Sequence, residues 1–235
     1  MRLIKYLIEG EGGFKLNCAD LSLDKARSYT ENQFSKDSKD LDKVLPDFDK
    51  NYKVLQQKLT KALDIPRIQM PVIEPEDMDK FHNDLTKGNV DIFKPYEGKK
   101  LKIVPTNWKP LPEKEGEKWI TLGVKDGDLN DDKIKAKWEN VAGKDLIPLQ
   151  SQIWLEKLIG NIVKYGPPKA GSPVLSTTII VSKEGYILDG HHRFGQVMLA
   201  DPNLKIKSLR IPLDVKFLLK ISRSYGAAIG REPKG

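Results

Sequence analysis

The sequence predicts an α+β fold, with a small mixed sheet and flanking helices in the C-terminal part and a mixed helical and extended region before it. Three observations carry this. Gln150–Tyr165 places Trp154, Leu155, Leu158, Ile159, Ile162 and Val163 on one helical face. Val174–Val181 and about Ile206–Ile211 are rich in β-branched and apolar residues. Between them, Tyr186-Ile187-Leu188 runs through Asp189-Gly190 into a helical stretch from His191 to Ala200, a strand–turn–helix unit.

In chain order, Met1–Glu9 is a short amphipathic segment with a glycine-rich exit, too short and too charged for a secretory signal. Residues 20–64 are highly charged with apolar residues at helical spacings, and Pro46 should split them into two helices. In the second, Tyr52, Leu55, Leu59 and Leu63 share a face. Pro75-Glu76-Asp77 should open a further helix that Gly88 closes. Residues 91–128 read as extended, with Ile92-Phe93, Leu101–Val104 and Trp119–Leu122 as strands. Asp131–Val141 reads as a short helix. Asp145–Pro148 is a short strand ended by proline, and a final helix covers about Asp214–Ser224. These readings divide the chain into a segment 1–9, an N-terminal region 10–143 and a C-terminal domain 144–235, with a boundary near Gly143.

The 235 residues suffice for one cored domain with an appendage, or two small domains. No apolar run approaches the roughly 20 residues that span a bilayer, so no membrane partner is expected. The single cysteine, Cys18, excludes an internal disulfide and suggests a reducing compartment. The net charge of +7 is unevenly placed. Residues 144–235 carry 14 Lys/Arg against 7 Asp/Glu, whereas the first 143 residues carry 26 of each. A basic C-terminal part favours an anionic partner, a nucleotide or DNA.

The chemistry concentrates at Asp189-Gly190-His191-His192-Arg193, which holds two of the three histidines. Gly190 permits a sharp turn or a close backbone approach. The helix that follows begins with unpaired N–H groups and a positive dipole end. Cations in that first turn are unfavourable by about 0.3–1 kcal/mol each unless an anion joins them. Arg193 is therefore the expected bidentate phosphate ligand. His191 and His192 are candidates for phosphate donation or proton transfer. Asp189 is a candidate base, tautomer holder or Mg²⁺ ligand. The alternative is a structural motif in which Asp189 only caps the helix and Arg193 pairs with a carboxylate such as Glu156. Adjacent histidines share no helical face, which disfavours zinc.

This string, with the elements from about Lys144 to Leu213, resembles the ParB/sulfiredoxin superfamily. The resemblance implies that Gly190–Arg193 bind nucleotide phosphates, ATP, ADP or CTP with Mg²⁺, aided by Pro148, Gln150 and Gln152 in the preceding turn. It implies a phosphotransferase, NTPase or nuclease with Asp189, His191 and His192 as catalytic residues, or alternatively a non-catalytic DNA- or nucleotide-binding protein. Sulfiredoxins carry a cysteine where His191 stands. The related serine kinase uses a glutamate just after the proline turn, where this chain has Leu149-Gln150-Ser151-Gln152; Glu156 is the nearest supporting acid. Pro148–Lys157 also resembles phage-encoded members. Met1–Glu9 is similar to phage capsid-targeting peptides, with Leu7-Ile8-Glu9 before Gly10 as the processing site. That likeness implies capsid or prohead partners, and a location in the bacterial cytoplasm or virion interior. The bland alternative is an ordinary N-terminal helix or strand.

Overall fold

The computed structural model describes residues 15–95, 108–128 and 130–233. The expected Met1–Glu9 segment, the Glu9–Gly10 processing site and the Leu101–Val104 strand lie outside the described residues.

The charged N-terminal stretch forms helices α1 (Leu23–Lys36), α2 (Leu41–Val44) and α3 (Phe48–Leu59). Asp40 caps α2 by accepting the Asp42 N–H, and Pro46 separates α2 from α3 as its ring requires. Tyr52, Leu55 and Leu59 are buried along α3, with Phe48 and Asn51 beside them. Leu63 falls beyond the helix end and is 38% exposed, so it leaves the expected face. Helix α4 (Met78–Lys87) follows a 3-10 turn at Pro75–Asp77, where Glu74 and Asp77 form a capping box. Gly88, at φ 73°, ends it as expected.

Residues 91–95 and 108–128 depart from the extended reading. Ile92-Phe93 lies in a turn that the Asp91 carboxylate holds by accepting the Phe93 and Lys94 N–H groups. Trp119–Leu122 is helical, within α5 (Glu113–Ile120) and α6 (Leu122–Lys125). Pro112 precedes α5 and two glutamates occupy its first turn, the normal opening of a helix. Gly116 and Trp119, three apart, are its buried positions. A Cβ on Gly116 would lie 2.0 Å from the Ala228 carbonyl oxygen, so only glycine admits this packing.

The five strands are β1 (Lys137–Ala142), β2 (Ile147–Pro148), β3 (Ile179–Val181), β4 (Tyr186–Ile187) and β5 (Lys205–Arg210), and they lie in one sheet in the order β1-β5-β3-β4-β2. Strand β1 stands where the sequence predicts a helix over Asp131–Val141, and it pairs antiparallel with β5. Its partner decides the conformation. Glu139 pairs with Arg210 across the ladder and Lys207 covers the Trp138 ring, contacts that no local pattern encodes. Strand β3 runs parallel to β5 and antiparallel to β4, which runs parallel to β2.

The expected β-rich start at Val174 is instead a short helix, opened by Pro173. Helix α7 spans Leu155–Tyr165, shorter than expected, and α8 is this Pro173–Ser176 turn. Before α7, the Ile153 carbonyl accepts the Cys18 N–H, and Asn17 pairs with Trp154. Helices α9 (His191–Ala200) and α10 (Val215–Ala228) complete the fold.

Side chains alternate across the sheet. Ile179, Val181, Ile187 and Ile206 enter a core with α1, α3, α7 and α9. Ile180, Leu188 and Leu209 enter a second core with α4, α5 and α10. The boundary expected near Gly143 falls between β1 and β2 of this one sheet, and each core draws residues from both sides of it. Among the described residues no helix is long and apolar enough to cross a membrane.

Candidate anion site at the start of helix α9

Strand β4 delivers Leu188 into the core, where its N–H meets the Ile180 carbonyl at 2.9 Å. The chain then turns through Asp189 and Gly190. Gly190 is left-handed, at φ 88° and ψ 23°, and forms the N-cap of α9 without a capping side chain. Its carbonyl accepts the Phe194 N–H at 2.9 Å. The N–H groups of His191, His192 and Arg193 precede that first bond and carry the positive end of the helix dipole. No acidic side chain stands in the first turn of α9.

Packing fixes the helix. A Cβ on Gly195 would meet Leu158 at 2.9 Å, so α9 lies hard against α7. At the other end, Asn51 of α3 donates to the Leu199 and Ala200 carbonyls, at 3.1 Å each. Gly190 is also closely enclosed. An added Cβ would lie 2.6 Å from Ile179 Cγ2 and 2.9 Å from the Arg193 guanidinium. Gly190→Ala should therefore destabilise the chain by about 2 kcal/mol or more, since a left-handed L-residue alone costs roughly 1–2 kcal/mol. Urea unfolding measures this, and a variant within about 0.5 kcal/mol of wild type would contradict it.

The two histidines divide their roles. His191 is 3% exposed, and its Nε2 accepts the Leu149 N–H at 3.0 Å. Burial, then the charges of His192, Arg67 and Arg193, push its pKa down to about 3. It is a neutral imidazole that holds the β2 exit turn. Its Nε2 is thereby engaged with the backbone of that turn. His192 is half-buried, and its Nε2 is buried with no hydrogen-bond partner among the described residues. Burial first, then Lys157 and Arg67, push its pKa down to about 4.

Arg193 donates to Asp189 Oδ2 at 2.8 Å, an i,i+4 pair that spans the Gly190 turn. Glu156 instead accepts the Leu16 N–H at 3.1 Å, so it serves the N-terminal segment and not Arg193. Pro148 is buried in β2. Gln150 donates to the Ile65 carbonyl at 3.3 Å, and the Ile65 N–H donates to the Leu149 carbonyl at 3.3 Å. This reciprocal contact seats the 3-10 turn Arg67–Gln69 beside the motif. Gln152 is exposed. Asp189 belongs to no cluster of metal-ligating side chains; among the described residues the one such cluster is Asp91, Asp126 and Asp132.

Sequence reasoning missed Arg67 and Lys157, whose charges reach these histidines. Lys157 lies in the first turn of α7, where its direction depends on how α7 crosses α9. Arg67 lies far upstream of Asp189–Arg193 in the chain, and no local signal marks it.

The site joins the Arg193–Asp189 pair, a helix N-terminus and an imidazole with a buried, unpartnered ring nitrogen, within electrostatic reach of two further cations, Arg67 and Lys157. Such an arrangement favours a ligand with several negative oxygens. Comparisons with protein-family models, curated proteins and solved structures return no match for this chain.

Proposed function

We propose that this protein binds a phosphate-bearing ligand, a nucleotide or a nucleic-acid phosphate, at the N-terminus of α9. The observation that carries this reading is the Gly190 cap: a left-handed glycine that opens a helix with no capping side chain and no acid in its first turn, among Arg67, Lys157 and Arg193. The likeness of Asp189–Arg193 to the ParB/sulfiredoxin superfamily supports a nucleotide, with ATP, ADP and CTP as candidates. His191 is occupied with Leu149 and Asp189 with Arg193, which favours binding over catalysis. A phosphotransferase, NTPase or nuclease is the second reading, and the unpartnered Nε2 of His192 is what favours it.

Calorimetric titration with ATP, ADP and CTP, with and without Mg²⁺, tests the proposal. Arg67→Ala, at an exposed position, and Arg193→Ala should each weaken binding by about tenfold or more, the worth of a charge-assisted hydrogen bond. Absence of binding by wild type, or equal affinity in both variants, would sink it. Phosphate release above background by wild type, lost in His192→Gln, would favour the enzymatic reading.

A further inference from the structure

A second cluster lies beside the other core, the one packed on α4, α5 and α10. Asp91 sits between Val90 and Ile92, which are core residues. Asp126 follows α6 directly, and Asp132 precedes the core residue Ile134. One side-chain oxygen from each of Asp91, Asp126 and Asp132 lies within 4.8 Å of the others. Asp91 is 2% exposed and Asp132 is 0% exposed, while Asp126 faces solvent.

Three carboxylates this close repel one another, and burial removes the water that would screen them. Lys94 supplies one ammonium, 2.5 Å from Asp91 Oδ2 and 4.0 Å from Asp126 Oδ2. Asp132 is served less well. Its Oδ1 accepts the Ile92 N–H at 2.8 Å, but its Oδ2 is buried with no hydrogen-bond partner among the described residues. A buried carboxylate oxygen left unpaired is costly. One exposed lysine does not neutralise three acids.

Separations of at most 4.8 Å admit either hard divalent cation, and three protein carboxylates suit Ca²⁺, which takes more protein oxygens than Mg²⁺. Ca²⁺ binds oxygens at about 2.3–2.6 Å, so two ligands on opposite sides of it stand roughly 5 Å apart. Mg²⁺, at about 2.0–2.1 Å, spans roughly 4 Å and demands stricter geometry. We propose that Asp91, Asp126 and Asp132 form a divalent-cation site that prefers Ca²⁺, with Asp132 Oδ2 as the buried ligand and Lys94 as the group the ion displaces. This rests on other residues than the anion site and stands independently of it.

Trp119 provides a reporter, because its indole N–H donates to the Lys94 carbonyl at 3.0 Å. The chelator-treated full chain should show saturable Tb³⁺ luminescence on tryptophan excitation, competed by Ca²⁺ more strongly than by Mg²⁺. Ca²⁺ should also raise the melting temperature. Asp126→Asn, which removes one of the mutually repelling charges, should weaken Ca²⁺ binding by about tenfold or more without lowering the metal-free melting temperature. Lys94→Gln should strengthen it. No saturable Tb³⁺ signal and no Ca²⁺-induced melting shift would overturn the proposal. So would Tb³⁺ and Ca²⁺ binding left unchanged by both Asp126→Asn and Asp132→Asn, which would place the ion elsewhere.

Discussion

Acidification from pH 7 to pH 5 should lower the stability of the metal-free chain by about 3 kcal/mol through His191 and His192, each tenfold of proton affinity being worth about 1.4 kcal/mol. Burial and neighbouring cations hold the two imidazoles down at about 3 and about 4. In the unfolded chain both titrate near 6.5. Below that pH the unfolded state takes up protons that the folded state refuses. The contribution is therefore intact above pH 6.5 and lost as the pH falls toward the folded values. His192 is partly exposed and contributes the smaller share. Asp132 acts in the opposite sense: burial pushes its carboxyl up to about 6, so the folded state takes its proton first and gains stability on acidification, offsetting roughly 1 kcal/mol. Urea unfolding at pH 7 and pH 5 in the presence of chelator measures the balance. His192→Gln should flatten the profile. An unchanged slope in that variant would show that His192 is not held neutral. A bound phosphate would favour the charged imidazole, so saturating nucleotide should reduce the acid loss.

His191→Ala should cost about 3–4 kcal/mol, combining a cavity in place of a buried ring with a stranded Leu149 N–H. The damage should extend to binding. Leu149 and Gln150 exchange hydrogen bonds with Ile65, two residues before Arg67, so a loosened turn releases a cation from the candidate anion site. His191→Gln presents an amide oxygen near the Nε2 position and should recover most of the stability and affinity. That rescue separates a positioning residue from a catalytic one. Wild-type stability in His191→Ala would refute the structural role, and nucleotide turnover lost in His191→Gln with binding intact would restore a catalytic one.

The strand–turn–helix at Tyr186–Ala200 was legible because its signals are local. A glycine that must be left-handed, an apolar run before it and helical spacing after it lie within fifteen residues. The Pro75-Glu76-Asp77 opening before α4 and the glycine after it were legible for the same reason. Lys137–Ala142 was not, since six residues of mixed polarity become a strand only through β5, more than sixty positions later. Trp119–Leu122 was misread because aromatic and β-branched residues suit a strand, while the Gly116 contact with α10 that accompanies a helix there is long-range.

Sequence alone determined that a glycine turn leads into a helix whose first residues are His191, His192 and Arg193, because glycine conformation and charge at a helix start are properties of adjacent residues. Tertiary structure alone decided which groups remain free there. It turned His191 inward to Leu149, bound Arg193 to Asp189, left the buried Nε2 of His192 unpartnered and brought Arg67 within electrostatic reach. It also assembled Asp91, Asp126 and Asp132 from separate loops. Burial and hydrogen-bond partners come from chain segments remote in sequence, and they govern whether a titratable side chain binds, positions or only fills space.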